Sequence, residues 1–281
     1  MIALICTLEP YRIDWLPQFV AHYRKLGVER FLLSLQVEPA AGQSAIDEDF
    51  VRFREALASL GVDEAWLWQN EFNGPELIRY QRTLQSECLR PDDWIVWCDS
   101  DEFQVYPGSL PDLIEGFETR GIDFLRGVFV DRVAADYGLA AFDAKTPLWD
   151  IFPRTCNVTV ALGGGDPQKV VLARPGVMLS GGKHFPIAME KLKTIDGWVQ
   201  IHHFKWDATL IERLRYRVRP EWKAKFPWWV ESQRLIDYLI AHDLHFDPAD
   251  LDPVDLVGPG YIALQWDAGI SARWSRKLPI R

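Results

Sequence analysis

The run Trp94 to Phe103, WIVWCDSDEF, constrains this chain more than any other stretch. Trp94 to Cys98 are all apolar or aromatic and leave no solvated face. Such a run reads as a strand buried on both sides, in the middle of a parallel or mixed sheet. At its C-terminal end the polarity flips to Asp99, Ser100, Asp101 and Glu102 before Phe103 resumes. Three carboxylates in four positions repel one another, so a positive partner is expected to hold them. Hard cations such as Mg²⁺ or Mn²⁺ take oxygen ligands, commonly one or two carboxylates plus substrate phosphates. The Asp-x-Asp pair therefore reads as a site for a metal and a nucleotide diphosphate, or as an acidic turn after a strand. Its place after an all-apolar strand favours the first.

The stretches around it set the fold class. Ile2 to Thr7, Arg30 to Val37 and Ala65 to Trp68 are apolar strand runs. Between them Trp15, Phe19, Tyr23 and Leu26 recur at helical spacing, with Asp14 as the expected cap and Gly27 as the stop. A second helix shows Ile46, Phe50, Phe53, Leu57 and Leu60, closed by Gly61; a third, Glu76 to Leu89, shows Leu77, Tyr80, Leu84 and Cys88. The order β-α-β-α-β-α-β predicts an α/β chain with a Rossmann-like half and right-handed crossovers. Ligands of such sheets bind beyond the carboxyl ends of the strands, where the strand order reverses. Asp99, Asp101, Glu38 and the loop Thr7 to Arg12 all fall there.

Beyond Phe103 the pattern predicts a short helix from Ser109 and Pro111, then a strand from Asp123 to Val133. A hairpin follows: strand Thr155 to Leu162, turn Gly163 to Asp166, strand Lys169 to Ala173. Trp198 to Lys205 reads as a further strand, with helices over Ala208 to Arg219 and Ser232 to Ala241. No repeat or low-complexity linker divides the 281 residues. One domain is expected, with a nucleotide-binding half over about 1–106 and an acceptor-side half with C-terminal helices over about 107–281.

Composition excludes several classes. A formal charge of −9 argues against a nucleic-acid binder, which carries a basic face. Cys6, Cys88, Cys98 and Cys156 have no paired spacing, so reduced thiols are expected rather than a disulfide frame or zinc site. The opening residues lack the basic and long apolar parts of a signal peptide, and no 18-residue apolar run occurs. A cytoplasmic protein is the expectation. The thirteen tryptophans favour carbohydrate handling, since their faces stack on sugar rings as well as filling cores.

A second half of the site comes from Ile201 to Asp207, IHHFKWD. Alternate strand residues share a face, so His203 and Lys205 point together while His202 and Phe204 point away. Imidazole can complete a Mn²⁺ shell and an ammonium can neutralise a leaving diphosphate. That makes His203 the better ligand candidate than His202, with a buried aromatic-packed His as the alternative. His184, in a glycine-flanked loop, could bond donor or acceptor; Lys169 is either a strand-start charge or a phosphate contact. Arg213, Arg215, Arg217 and Arg219 form a basic segment from which one or two could meet an anion. The tail, with Trp266, Arg273, Trp274, Arg276, Lys277 and Arg281, is a candidate for peripheral docking on the inner membrane surface.

Taken together, the Glu-containing loop after the first strand, the pattern W-x-x-x-F-V-x-H-Y-x-x-L-G-V from Trp15, the run D-x-D-E-F and the run H-F-K-W resemble family-2-type glycosyltransferases. The resemblance is nearest to the D-x-D-E-F subgroup related to family 92, and it spans Ile2 to Trp206. It implies a GT-A fold with a mixed central sheet flanked by helices, Mn²⁺ or Mg²⁺, a UDP-sugar donor and inversion at the anomeric carbon. A carbohydrate or lipid-linked acceptor goes with it. Asp99 and Asp101 would hold ribose and metal, and His203 would complete the site. Glu9, Arg12 and Glu38 occupy nucleotide-contacting loops, and Arg79 and Arg82 the place of donor contacts. The chain departs from the pattern at Thr7-Leu8-Glu9, where relatives carry Asn before the Glu, and at Glu38, where Asp is usual.

The usual Glu-Asp pair that supplies a catalytic base is also missing. Inversion needs a carboxylate to take the acceptor proton; Asp131 is the first candidate and Glu231 the second. Two other readings remain open. A metal-dependent phosphohydrolase would use the same aspartates but need further carboxylate or His ligands. A non-catalytic nucleotide-sugar-binding protein would bind without turnover.

Overall fold

The computed structural model describes residues 1–195, 198–226 and 228–251. The tail residues named above as a docking candidate lie outside them. The first half alternates as expected: β1 (Ile2–Leu8), α1 (Leu16–Leu26), β2 (Arg30–Val37), α2 (Gln43–Ser59), β3 (Ala65–Gln69), α3 (Gly74–Cys88) and β4 (Trp94–Trp97). There follow β5 (Glu102–Val105), α4 (Leu110–Arg120), β6 (Phe124–Val133), the single turn α5 (Leu148–Ile151), β7 (Arg154–Cys156), β8 (Gln168–Ala173) and β9 (Trp198–His203). Three helices close the described chain: α6 (Leu210–Arg217), α7 (Pro220–Lys223) and α8 (Trp229–Ala241).

One mixed sheet runs β3-β2-β1-β4-β8-β6-β9-β5. β1 to β4 are mutually parallel, with β1 between β2 and β4. All four residues of β4 are buried, as its unbroken apolar run requires. At about 1.5–3 kcal/mol for each large side chain removed from water, this strand anchors the sheet. Since β2 and β3 extend to one side of β1 and β4 to the other, the strand order reverses at β1 and β4.

The second half of the sheet points its ends at the same place. β8 is antiparallel to β4 and β6 antiparallel to β8, so β6 again runs with β4, and β9 is parallel to β6. β5 returns antiparallel along β9, pairing Glu102 with His203. The carboxyl ends of β1, β4, β6 and β9 and the amino ends of β5 and β8 therefore share one rim. Only Cys98 to Asp101 separate β4 from β5, although three strands lie between them in the ladder, so the sheet is curled.

Two local expectations are corrected. Asp14 does not cap α1: the chain forms a 3-10 turn over Pro10–Trp15, and the Asp14 carboxylate instead meets Arg52 at 2.9 Å on the surface. The expected hairpin does not form either. β7 and β8 lie end to end along the same edge of β6, β7 on Asp131–Val133 and β8 on Phe124–Val128. Residues 157–167 leave the sheet between them and make one wide helical turn, Thr159–Gly163, which ends at Gly164 with φ +69°. The Asp131 side chain explains the break, because it bonds the Thr159 amide and hydroxyl and draws that turn out of line. All four cysteines are free thiols. Among the described residues no helix is long and apolar enough to cross a membrane.

Candidate functional site

The carboxylates after β4 form a tight turn. The Glu102 amide donates to the Asp99 carbonyl at 3.1 Å, and the Asp99 amide donates to Glu102 Oε2 at 2.9 Å. The positive partner that their repulsion calls for is built into the chain. Lys169, at the start of β8, pairs with both Asp99 and Glu102, and Lys183 meets Asp99 Oδ1 at 2.5 Å and the Cys98 carbonyl at 3.1 Å. Both lysines are almost fully buried. Burial works to raise Asp99, but the two ammonium groups more than reverse that and hold its carboxyl far below the usual range. Lys169 is held charged by the same contacts against the cost of its burial. Burial outweighs Lys169 at Glu102, whose carboxyl is raised. Each Asp99 oxygen faces an ammonium, which sets it apart from Asp101 among the expected metal ligands.

Asp101 is placed differently. Its Oδ1 stands 4.0 Å from His203 Nε2, and its Oδ2 3.5 Å from Arg12. Burial would raise it, yet His203, Arg12 and Arg213 together keep it ionised below the ordinary value. Asp131, on β6 beside His203, accepts from His203 Nδ1 at 2.9 Å, Trp206 Nε1 at 2.8 Å and the Thr159 amide at 2.6 Å. An ionised carboxylate can only accept, so Nδ1 carries a proton toward Asp131, and this bond turns Nε2 toward Asp101. A carboxylate on the far nitrogen is the arrangement that orients metal-binding imidazoles. Asp131 thus holds His203 and lies below the cleft, fully bonded. Of the two expected base candidates, Asp131 does not line the cleft, whereas Glu231 does.

Arg12 is 1% exposed, stacked 3.8 Å over the Trp15 ring, and its Nη1 meets Asp207 Oδ2 at 2.8 Å, off the line of its N–H bonds. It fixes Asp101 and Asp207 from beneath and does not face the cleft. Asp207 also bonds the Thr209 amide at 2.8 Å and Arg213 at 3.3 Å, starting α6. Lys205 reaches the cleft, 3.9 Å from Glu231 in the first turn of α8. Burial lowers its ammonium, and Glu231 partly restores it. His202 points away as expected and packs edge-on to Trp149, with burial pushing its imidazole down to about 3.

These groups surround a cleft of about 340 Å³ at the rim of the sheet, lined by Glu9, Asp99, Asp101, Lys169, His203 and Lys205 among others. Of the remaining candidates, His184 and Glu231 line it too, as do Arg213 and Arg217 from the basic segment. Glu38 lies in an adjoining cavity of about 450 Å³, where it accepts from the Tyr216 hydroxyl at 2.8 Å. The two spaces share Glu9, Tyr11, Phe72, Arg213 and Arg217. Arg79 and Arg82 lie outside both. Arg79 pairs with Glu76 on the exposed face of α3, and Arg82 contacts the sulfur of Met178. The periodicity of α3 explains this, since its inward residues facing the cleft are Leu77, Ile78 and Gln81.

Several site residues escaped the sequence. Lys183 sits in a Gly-Gly-Lys turn with φ +64° and is aimed inward by that left-handed backbone; only the two preceding glycines hinted at it. Glu102 and Asp207 stand in the D-x-D-E-F and IHHFKWD runs without a role of their own being read there, and Thr159 carries no motif. Asp166 lines the cleft, and burial pushes its carboxyl up to about 6.

No family model matches the chain. No curated protein matches it either. Similar solved structures include residues 1–349 of S. aureus TarS, at 10% identity and TM-score 0.34 over 83% of this chain and 70% of that one. Another is UDP-glucose pyrophosphorylase complexed with UDP-glucose, at 10% identity and TM-score 0.25 over 51% of this chain and 64% of that one. A third is the inositol-1-phosphate CTP transferase from T. maritima, at 11% identity and TM-score 0.27 over 89% of this chain and 91% of that one. No activity is carried over from likenesses at this level.

Proposed function

We propose that this chain is a GT-A-type glycosyltransferase that moves a sugar from a UDP-type donor to a carbohydrate or lipid-linked acceptor, with inversion. One observation carries the reading. At the point where the strand order reverses, Asp99 is neutralised by two buried lysines while Asp101 and His203 are left facing a cleft rich in cations. A site built only to quiet an acidic turn needs no open carboxylate, and no Lys205, Arg213 and Arg217 around it. A diphosphate is the ligand that such an assembly suits.

The adjoining cavity suits the nucleoside. Tyr11, Phe72 and Trp222 offer aromatic faces there, and Gln36 and Glu38 offer polar groups for a base edge or ribose hydroxyls. Lys205 and Arg213 would bind the phosphates at the junction of the two spaces, with Glu231 holding Lys205 in place.

The donor set fits a divalent cation. Asp101 Oδ1 and His203 Nε2 face each other, the second imidazole nitrogen is fixed by Asp131, and Glu102 completes a group whose ligand atoms lie within 4.8 Å of one another. Asp101 and His203 would hold Mn²⁺ or Mg²⁺, and such an ion offsets charge on a departing diphosphate. Glu102 is tied to Lys169 and would serve as a neighbour rather than a free ligand. The phosphohydrolase alternative needs a denser ligand set than this.

The test is a melting and turnover panel on the full chain with UDP, UDP-glucose, UDP-galactose and UDP-N-acetylglucosamine, with and without Mn²⁺. UDP is expected to raise Tm, more so with Mn²⁺, and at least one UDP-sugar to be turned over. Asp101→Ala should abolish the Mn²⁺ increment. The reading is lost if no nucleotide shifts Tm and Asp101→Ala changes nothing.

A further inference from the structure

With Asp131 occupied below the cleft, sugar transfer by inversion lacks a proton acceptor. A base must line the cleft, keep an oxygen open and stand apart from the cations that bind the donor. The cleft's carboxylates fail this in turn. Asp99 has an ammonium on each oxygen, and Glu102 is divided between Lys169 and the Asp99 amide. Asp101 stands between Arg12 and His203. Glu9 lies deep beside Arg12 on the wall shared with the nucleoside cavity. Glu231 is matched to Lys205 at 3.9 Å.

Asp166 meets all three conditions. It ends the excursion over residues 157–167, a wall that lines the main cleft and contributes nothing to the nucleoside cavity. The Gln168 amide donates to Oδ1 at 2.9 Å and fixes the carboxylate, while Oδ2 has no hydrogen-bond or ion-pair partner among the described residues. We infer that Asp166 is the general base and that its wall is the acceptor side of the cleft. This rests on the sugar-transfer reading above.

In the step, the acceptor hydroxyl gives its proton to Asp166 Oδ2 as its oxygen bonds to the anomeric carbon. The bond from that carbon to the phosphate oxygen breaks, and its electron pair leaves with the diphosphate. The charged and titratable groups around Asp166 leave it free for this. Lys169, three residues on, is turned to Asp99 and Glu102. His184, whose Nδ1 bonds the Gln168 carbonyl, is kept neutral near physiological pH by burial and by Lys169, at about 4. From α8, Glu231 approaches Gly163 and Arg234 approaches Gly164. Burial alone lifts the Asp166 carboxyl to about 6, against the pull of the Gln168 amide, near the value that suits a base at neutral pH.

The experiment uses donor hydrolysis, in which water takes the acceptor's place, so no acceptor need be known. The full chain and its Asp166→Asn, Asp166→Glu and Glu231→Gln variants are assayed with the three UDP-sugars over pH 5–8, and UDP affinity is measured for each. Asp166→Asn is expected to lower kcat by about 100-fold or more, in line with a lost base, with UDP affinity unchanged. The acid limb of kcat near pH 6 should vanish in Asp166→Asn, reappear in part in Asp166→Glu and persist in Glu231→Gln. An Asp166→Asn variant that keeps its rate or its acid limb, or loses UDP affinity in proportion to rate, overturns the assignment alone. Loss of the limb in Glu231→Gln does the same. Absence of UDP binding, or of turnover, by the unsubstituted chain overturns the sugar-transfer reading and the assignment with it.

Discussion

Lys169 and Asp166 lie three residues apart and show opposite uses of burial. Lys169 is buried against Glu102, which is itself 1% exposed, so neither charge has water to fall back on. Removing one partner of such a pair leaves the other uncompensated, at a cost of about 3–5 kcal/mol. Lys169→Met is therefore expected to lower urea-unfolding stability by that amount at pH 7, and by less as pH falls and Glu102, whose carboxyl burial raises, takes a proton. Asp166 has no such partner. Its folded pKa is raised from 3.8 to about 6, so its favourable contribution is complete below 3.8 and is lost as pH rises through about 6. Asp166→Asn should then stabilise the fold at pH 8 by about 1–2 kcal/mol, discounted for its partial exposure, and leave it unchanged at pH 3.5. Paired melts at the two pH values check this; equal effects at both would contradict it. A residue whose replacement stabilises the fold is often kept for function.

At the scale of elements, the sheet is organised by strands that permit close approach. Gly127 in β6 lies between β8 and β9, where an added Cβ would meet Val171 Cγ1 at 2.6 Å and Ile201 Cγ1 at 2.7 Å. Both are core side chains with no room to retreat. Gly127→Ala is expected to cost about 1–3 kcal/mol through overpacking, read as a lower urea midpoint with an unchanged m-value. The first half of the fold was legible because it is local: apolar strand runs, helix stripes and glycine stops place β1 to β4 within a residue or two. The hairpin misled because two strand-like runs flank a glycine-rich turn, yet both β7 and β8 pair with β6. That choice is made by Asp131, whose bonds to Thr159 span 28 residues and leave no periodic trace. The cleft was legible in part for the same reason. Asp99, Asp101, His203 and Lys205 follow from strand ends and alternation. Arg79 and Arg82 came from the resemblance alone and line neither cavity, and Lys183 depends on a left-handed turn.

For the whole molecule, His202, which is buried, and His22 and His184, which are half-buried, shape the acid response. Burial holds His22 and His184 at about 4 and His202 at about 3. Each is neutral in the fold and takes a proton more readily when unfolded, so stability is lost as pH falls from about 6.5 toward 4. Asp166, Glu102 and Glu9, whose carboxyls burial raises, act in the opposite sense over part of that window, while Asp99 and Asp101, held low by their cations, act with the histidines. Tm is expected to fall steadily from pH 7 to pH 4.5, and an unchanged Tm over that range would count against the buried neutral state of these rings. The curled sheet gathers the ends of six strands, and the cations and carboxylates of the cleft come from the ends of β1, β4, β5, β8 and β9, the excursion at Asp166, the turn at Lys183, α6 and α8. No single element binds a diphosphate; the closure of the sheet assembles the site.

The most direct test is titration calorimetry of UDP into the full chain, with and without Mn²⁺, beside Asp101→Ala and Lys205→Met. Saturable binding at one site per chain is expected, tighter with Mn²⁺, with the Mn²⁺ effect gone in Asp101→Ala and affinity weakened in Lys205→Met whether or not metal is present. No heat of binding from UDP under either condition, or binding that both variants leave untouched, would contradict the account.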